Sequence, residues 1–70
     1  MKRCVKEFAS IVYCGLDVTD NGNSNRVLKL LSMCDRGLLT EVDAMAELVE
    51  IARDGADYRA AKCRRTEVKG

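Results

Sequence analysis

Thiolates, imidazoles and carboxylates are the side chains that most often bind metals or move protons. This 70-residue chain holds four cysteines, eleven acidic residues and no histidine. Cys4, Cys14, Cys34 and Cys63 stand 10, 20 and 29 residues apart. A structural zinc site draws its sulfurs in close pairs, because one turn must present two of them to the same ion. No such pair exists here, so no metal is expected. The cysteines read as reduced thiols, with Cys4, Cys34 and Cys63 as small hydrophobes on buried helix faces. Cys14 falls on a polar arc and is expected to be exposed and reactive. As a nucleophile it would need a base, and the commonest one, histidine, is missing.

The stretch Asp17-Val18-Thr19-Asp20-Asn21-Gly22 invites comparison with a calcium loop. The twelfth position, where a bidentate glutamate must close the coordination sphere, is Leu28, and the third is Thr19. A polar loop over 17–25 with a turn at Asn21-Gly22 is the reading that remains. There is no phosphate-binding glycine loop, no dinucleotide fingerprint and no nucleophile elbow. With no tryptophan and a single phenylalanine, an aromatic-lined cofactor pocket is not expected either. The chain therefore reads as a non-enzyme without cofactors.

Two charged surfaces stand out. Asp43, Glu47, Glu50, Asp54 and Asp57 recur at spacings of three and four, which makes an acidic stripe on a continuous helix and the expected contact surface for a protein partner. Arg59, Lys62, Arg64, Arg65 and Lys69, with Lys2, Arg3 and Lys6 at the other end of the chain, offer cations for phosphates.

The elements that position these groups follow from period. At about 100° per residue, Cys4, Val5, Phe8, Ala9, Ile11, Val12 and Leu16 share one arc of a helix over 2–15, stopped by Gly15. Ser24 or Asn25 caps a second helix over 25–36, centred on Val27, Leu30, Leu31 and Cys34 and ended by Gly37. Leu28 and Met33 widen its apolar arc beyond what one neighbouring helix covers. Thr40 opens a third helix over 41–65, with Glu41 and Asp43 at its positive end. Its apolar face is read as Val42, Met45, Leu48, Val49 and Ala52, with a bend at Gly55; a break there and a short fourth helix is the alternative. Thr66 to Gly70 are expected to fray. The expected core is Val5, Phe8, Ile11, Val12, Val27, Leu30, Leu31, Val42, Met45, Leu48 and Val49. A last helix this long exceeds what its two neighbours cover, and Ala52, Gly55, Ala56 and Ala60 along it predict a homodimer interface of closely spaced backbones.

Within residues 27–49, the run from Leu30 through Gly37-Leu38-Leu39-Thr40-Glu41-Val42-Asp43 resembles the SHOCT family of short helical hairpins, in which a leucine-rich helix is followed by glycine, two aliphatics, threonine and acidic residues. Ala44 stands where that family usually carries an aromatic. The resemblance implies an interaction or oligomerisation module. A helix-turn-helix reading of the same hairpin would send Asp43, Glu47 and Glu50 toward DNA, which repels them.

With twelve basic residues against eleven acidic ones and 47% apolar residues, the composition is that of one small globular domain spanning 1–70. No segment has the roughly 20 apolar residues of a membrane helix, and Lys6 and Glu7 interrupt any leader-like N-terminus. The expectation is an all-α, three-helix cytoplasmic domain, a helical hairpin plus an N-terminal helix, that binds a protein partner. Small domains of this profile act as stoichiometric inhibitors or adaptors; anti-CRISPR and other anti-defence proteins of phages and mobile elements, working in the host cytoplasm, are of this class. The alternative is a small nucleic-acid-associated transcriptional regulator acting through Arg59, Lys62, Arg64 and Arg65.

Overall fold

The computed structural model describes residues 3–69, with side chains through Arg64. Its regular structure among those residues is all helical: α1 (Arg3–Gly15), α2 (Asn21–Asp35) and α3 (Glu41–Lys69). Each helix packs on the other two. α1 and α2 run antiparallel across a five-residue turn, and α3 returns alongside α1 in the same direction, since Cys4 meets Glu41 at one end and Asp17 meets Lys62 at the other. The 29 residues of α3 span about 43 Å of helix, which sets the long axis of a 47 × 16 × 15 Å molecule. α1 and α2, with 13 and 15 residues, cover about half of it.

Each helix end has a local cause. Asp20, buried, caps α2: its Oδ1 accepts from the Asn23 backbone N–H at 3.4 Å and its Oδ2 from Asn23 Nδ2 at 2.8 Å. The expected cap at Ser24 or Asn25 lies inside the helix instead, and Asn21-Gly22 forms its first turn rather than a reverse turn. The predicted 17–25 loop contracts accordingly, and the later positions of the calcium-loop comparison sit on a helix. At the other end Gly37 adopts φ +74°, while the Leu38 and Gly37 N–H groups donate to the Met33 and Cys34 carbonyls. This is the paired bonding that satisfies the last carbonyls of a helix, and it calls for glycine. Thr40 caps α3 as expected, its Oγ1 accepting from the Asp43 N–H at 3.2 Å.

α3 passes Gly55 without interruption, so there is neither a break nor a fourth helix. It is, however, turned about its axis. The buried face is Ala44, Leu48, Ile51 and Gly55, about 90° around the wheel from the expected one. Val42 is 78% exposed and Val49 half-exposed, while Met45 and Ala52 sit at the edge of the core. The physical reason is closeness: Ala44 and Gly55 let the hairpin approach where valines would hold it off. On α1 and just past its end, Val5, Ala9, Val12 and Leu16 are buried at spacings of four, three and four, and Ile11, expected in the core, is 70% exposed. Val27 and Leu30 complete the core from α2, with Phe8 and Leu31 packed against its edge. Leu48 and Ile51, fully buried, each stabilise the fold by roughly 1.5–3 kcal/mol through removal from water. Among the described residues no helix is long and apolar enough to cross a membrane.

Candidate functional site

The acidic stripe is partly engaged within the molecule. Arg26 of α2 reaches across to it: Nη1 donates to Asp54 Oδ2 at 2.6 Å and to Asn23 Oδ1 at 3.1 Å, and Nη2 lies 3.9 Å from Glu47 Oε2. With α3 turned as described, the stripe flanks the buried face instead of standing opposite it. Glu50 and Asp57, with Arg53, line a shallow depression of about 270 Å³ beside Arg26 and Asp54. Asp43 stays exposed at the start of α3. Reversing the charge of Glu47 or Asp54 would set an ammonium group against Arg26, so such a variant tests packing as well as docking.

The small residues divide. Gly55 is buried, and a Cβ there would overlap the Leu16 Cδ2 methyl group; its smallness serves α1 and not a second chain, which corrects its assignment to a dimer interface. Ala56 and Ala60 are exposed and Ala52 half-buried.

The described basic residues do not converge. Arg59, Lys62 and Arg64 lie on the far half of α3, whereas Arg3 and Lys6 lie beside its start; about 18 helical residues, roughly 27 Å, separate the two groups. Lys2 and the side chains of Arg65 and Lys69 fall outside the described residues, as do the side chains of the segment expected to fray. Lys62 is part of a polar knot that sequence reasoning missed. Asp17 Oδ1 accepts from the Thr19 N–H at 2.9 Å and the Thr19 hydroxyl at 2.6 Å. Lys62 Nζ donates to both Asp17 oxygens at 3.1 and 3.3 Å and to Thr19 Oγ1 at 3.2 Å. Thr19 gives its one proton to Asp17, so Tyr58 is the donor in the 2.7 Å bond between the two hydroxyls. The Thr19 hydroxyl and backbone N–H, and then Lys62, hold the Asp17 carboxyl well below the usual carboxylate range. The Asp-x-Thr turn and the i, i+4 pair Tyr58 and Lys62 were the legible signals.

Cys14 is exposed, as expected from its arc, but so are Cys4 and Cys63, and Cys34 is half-buried. Cys4 Sγ donates to Glu41 Oε1 at 3.2 Å, a bond to the neutral thiol that pushes its pKa up. No group of three His, Cys, Asp or Glu residues among those described is placed to hold a metal ion.

A depression runs along the seam of α1 and α2. A trough of about 570 Å³ is floored by Ala9, Val27 and Leu31, walled by Tyr13 and Leu28, and edged by Lys6 and Asp35. Through Tyr13 and Leu28 it continues into a second depression that reaches Val18. Leu28 is 53% exposed and Val18 94%. The over-wide apolar arc of α2 announced it; Tyr13, placed on the polar arc of α1, did not. Such a surface offers apolar contact area with charges at the rim and suits an inserted aliphatic or aromatic side chain.

Comparison with family models, curated proteins and solved structures returns no match.

Proposed function

We propose that this chain is a non-enzymatic protein-interaction module acting by stoichiometric binding, as an inhibitor or adaptor does, with the trough between α1 and α2 as its docking surface. The observation that carries this reading is the trough: a small domain that needs its apolar area for its own core leaves Tyr13, Leu28 and Val18 beside one another in water. The arrangement suits an amphipathic segment of a partner, laid along the seam with apolar side chains between Tyr13 and Leu28. The resemblance of 27–49 to an interaction hairpin points the same way, and the class includes anti-defence inhibitors of mobile elements.

The test is affinity capture from host lysate with the native chain and with Leu28→Glu, each with and without nuclease. A stoichiometric protein retained by the native chain, resistant to nuclease and lost with Leu28→Glu at unchanged helicity, is the expected result. Partners that vanish on nuclease treatment would overturn the reading in favour of a nucleic-acid-associated regulator.

A further inference from the structure

The trough between α1 and α2 is charged at one end and apolar two turns away. Lys6 on the α1 wall and Asp35 on the α2 wall both line it, and both are exposed. Among the described residues neither has an ion-pair partner. Tyr13 and Leu28 mark one level of the trough, because both also line the depression beyond it. Lys6 stands seven residues before Tyr13, and Asp35 stands seven residues after Leu28. Seven residues make about two turns, which returns to the same face, and about 10.5 Å of rise. Since α1 and α2 run antiparallel, the two steps go the same way. Lys6 and Asp35 therefore stand at one level on opposite walls, as Tyr13 and Leu28 do.

A second copy of this chain matches that pattern in one orientation. Turned by 180° about an axis parallel to the helices and laid trough to trough, it sets its α2 against α1 and its α1 against α2, with every level kept. Lys6 then meets Asp35 of the second copy, Asp35 meets Lys6 of the second copy, and Tyr13 and Leu28 meet across both walls. Four helices with antiparallel neighbours surround the axis, as in a four-helix bundle. Turned instead about an axis across the helices, the second copy would lay its α1 on α1 and set its Lys6 toward Tyr13, charge against apolar group. The other charges nearby do not compete. Arg3 is held by Glu7 on its own helix at 3.2 Å, and Asp17 by Lys62 at 3.1 Å. Lys29 and Arg36 lie about 100° further round α2 than Leu28 and Asp35 and line neither depression.

Opposite charges across an interface select partner and direction. We infer that two copies of this chain pair trough to trough about an axis parallel to α1 and α2, closed by two Lys6–Asp35 pairs, so that a protein partner reaches the trough by displacing the second copy. The surface is self-complementary, as a two-fold interface must be. This inference rests on the trough as a docking surface and names its occupant in the free chain.

Sedimentation equilibrium across a concentration series, with helicity followed in parallel, tests it. The native chain is expected to approach twice its 7.8 kDa mass. Lys6→Glu and Asp35→Lys are each expected to keep native helicity and to dimerise about tenfold more weakly, since either variant alone sets like charges together in both pairs. An equimolar mixture of the two variants is expected to return to the native dimer, because one chain of each kind brings opposite charges together in both pairs. Monomer at every concentration, a dimer that Leu28→Glu leaves intact, or a mixture that associates no better than its components would each overturn the pairing. A chain that is monomeric throughout, yet captures a protein lost with Leu28→Glu, would overturn the pairing and leave the docking reading standing. A dimer restored by mixing, in a chain that captures no protein, would support the pairing and count against that reading.

Discussion

Gly55 of α3 and Leu16 at the end of α1 are packed so closely that the leucine methyl group Cδ2 occupies the place of a Cβ on residue 55. A helix-interior glycine gives up about 1 kcal/mol relative to alanine, so its presence is explained by the contact and not by helix preference. The other atoms near that Cβ position lie at ordinary distances, Leu16 Cγ at 3.8 Å and Asp20 Oδ2 at 3.9 Å, which confines the conflict to one methyl. Gly55→Ala is therefore expected to lower stability by about 1 kcal/mol in the native chain, where overpacking outweighs propensity. In a Leu16→Val background, which removes Cδ2, the same change is expected to raise stability by about 1 kcal/mol. Urea unfolding of the four proteins checks this, and additive effects would show that the two residues do not meet.

The orientation of α3 is open to an equally direct check. Ile51 is fully buried and Val42 faces water. Ile51→Ala is expected to cost about 2–5 kcal/mol through lost transfer energy and the cavity left behind, a large part of the stability of so small a domain. Val42→Ala is expected to stay within about 0.5 kcal/mol for the monomer. Thermal melts at low protein concentration separate the two, and the opposite order would restore the face read from the sequence.

Asp17 gives the fold an acid-sensitive contact. Its carboxyl is held down in the folded chain by Thr19 and Lys62, while in the unfolded chain it titrates near the ordinary value of about 3.9. A depressed folded pKa stabilises the fold above the unfolded pKa, and that contribution is lost progressively as pH falls toward the folded one. The thermal midpoint of the native chain is expected to fall on acidification below about pH 4 more steeply than that of Asp17→Asn. Parallel slopes in melts from neutral pH downward would show the knot to be without effect.

Cys4 reports on the other end of the α1–α3 contact. Because its thiol donates to the Glu41 carboxylate, forming the thiolate is disfavoured, and the thiolate is the reactive species. Glu41→Gln is expected to speed alkylation of Cys4 at mildly alkaline pH while leaving Cys14 unchanged. Peptide mapping of an iodoacetamide time course reads both rates, and equal rates in the two proteins would refute the contact.

The number of helices, one of the two connections and most of α1 and α2 were legible because one signal dominated at each place. Gly37 and Thr40 each satisfy backbone groups at a helix end, and Val5, Val12, Val27 and Leu30 sit well inside the apolar arcs of their helices, with Ile11 and Leu28 at the margins. α3 carried two competing faces. One has Val42 and Val49, the other Ala44, Ile51 and Gly55, with Leu48 shared; counting apolar side chains favours the first. Packing chose the second because distance of approach, which a wheel does not contain, rewards alanine and glycine. The start of α2 was hidden in the same way. Asn21 to Asn25 have weak helix preference, and it is the buried Asp20 carboxylate, together with Arg26 reaching Asp54, that holds them in a helix. Of the candidate surfaces, the acidic residues were found but not the arginine across from them. The trough was foreshadowed only by Leu28.

α1 is joined to α3 near both ends, by Cys4 with Glu41 and, through the turn that follows it, by Asp17 with Lys62. Between those two anchor points α3 runs for about 20 residues, roughly 30 Å. Adding or deleting one residue within that interval turns everything beyond it by about 100° and shifts it by about 1.5 Å, so one anchor, and the register of Leu48, Ile51 and Gly55 with it, must fail. Among the described residues no such pair of fixed points lies beyond Lys62. The length of α3 is thus constrained as far as Lys62, and evolution or engineering can lengthen, shorten or extend the helix only beyond it.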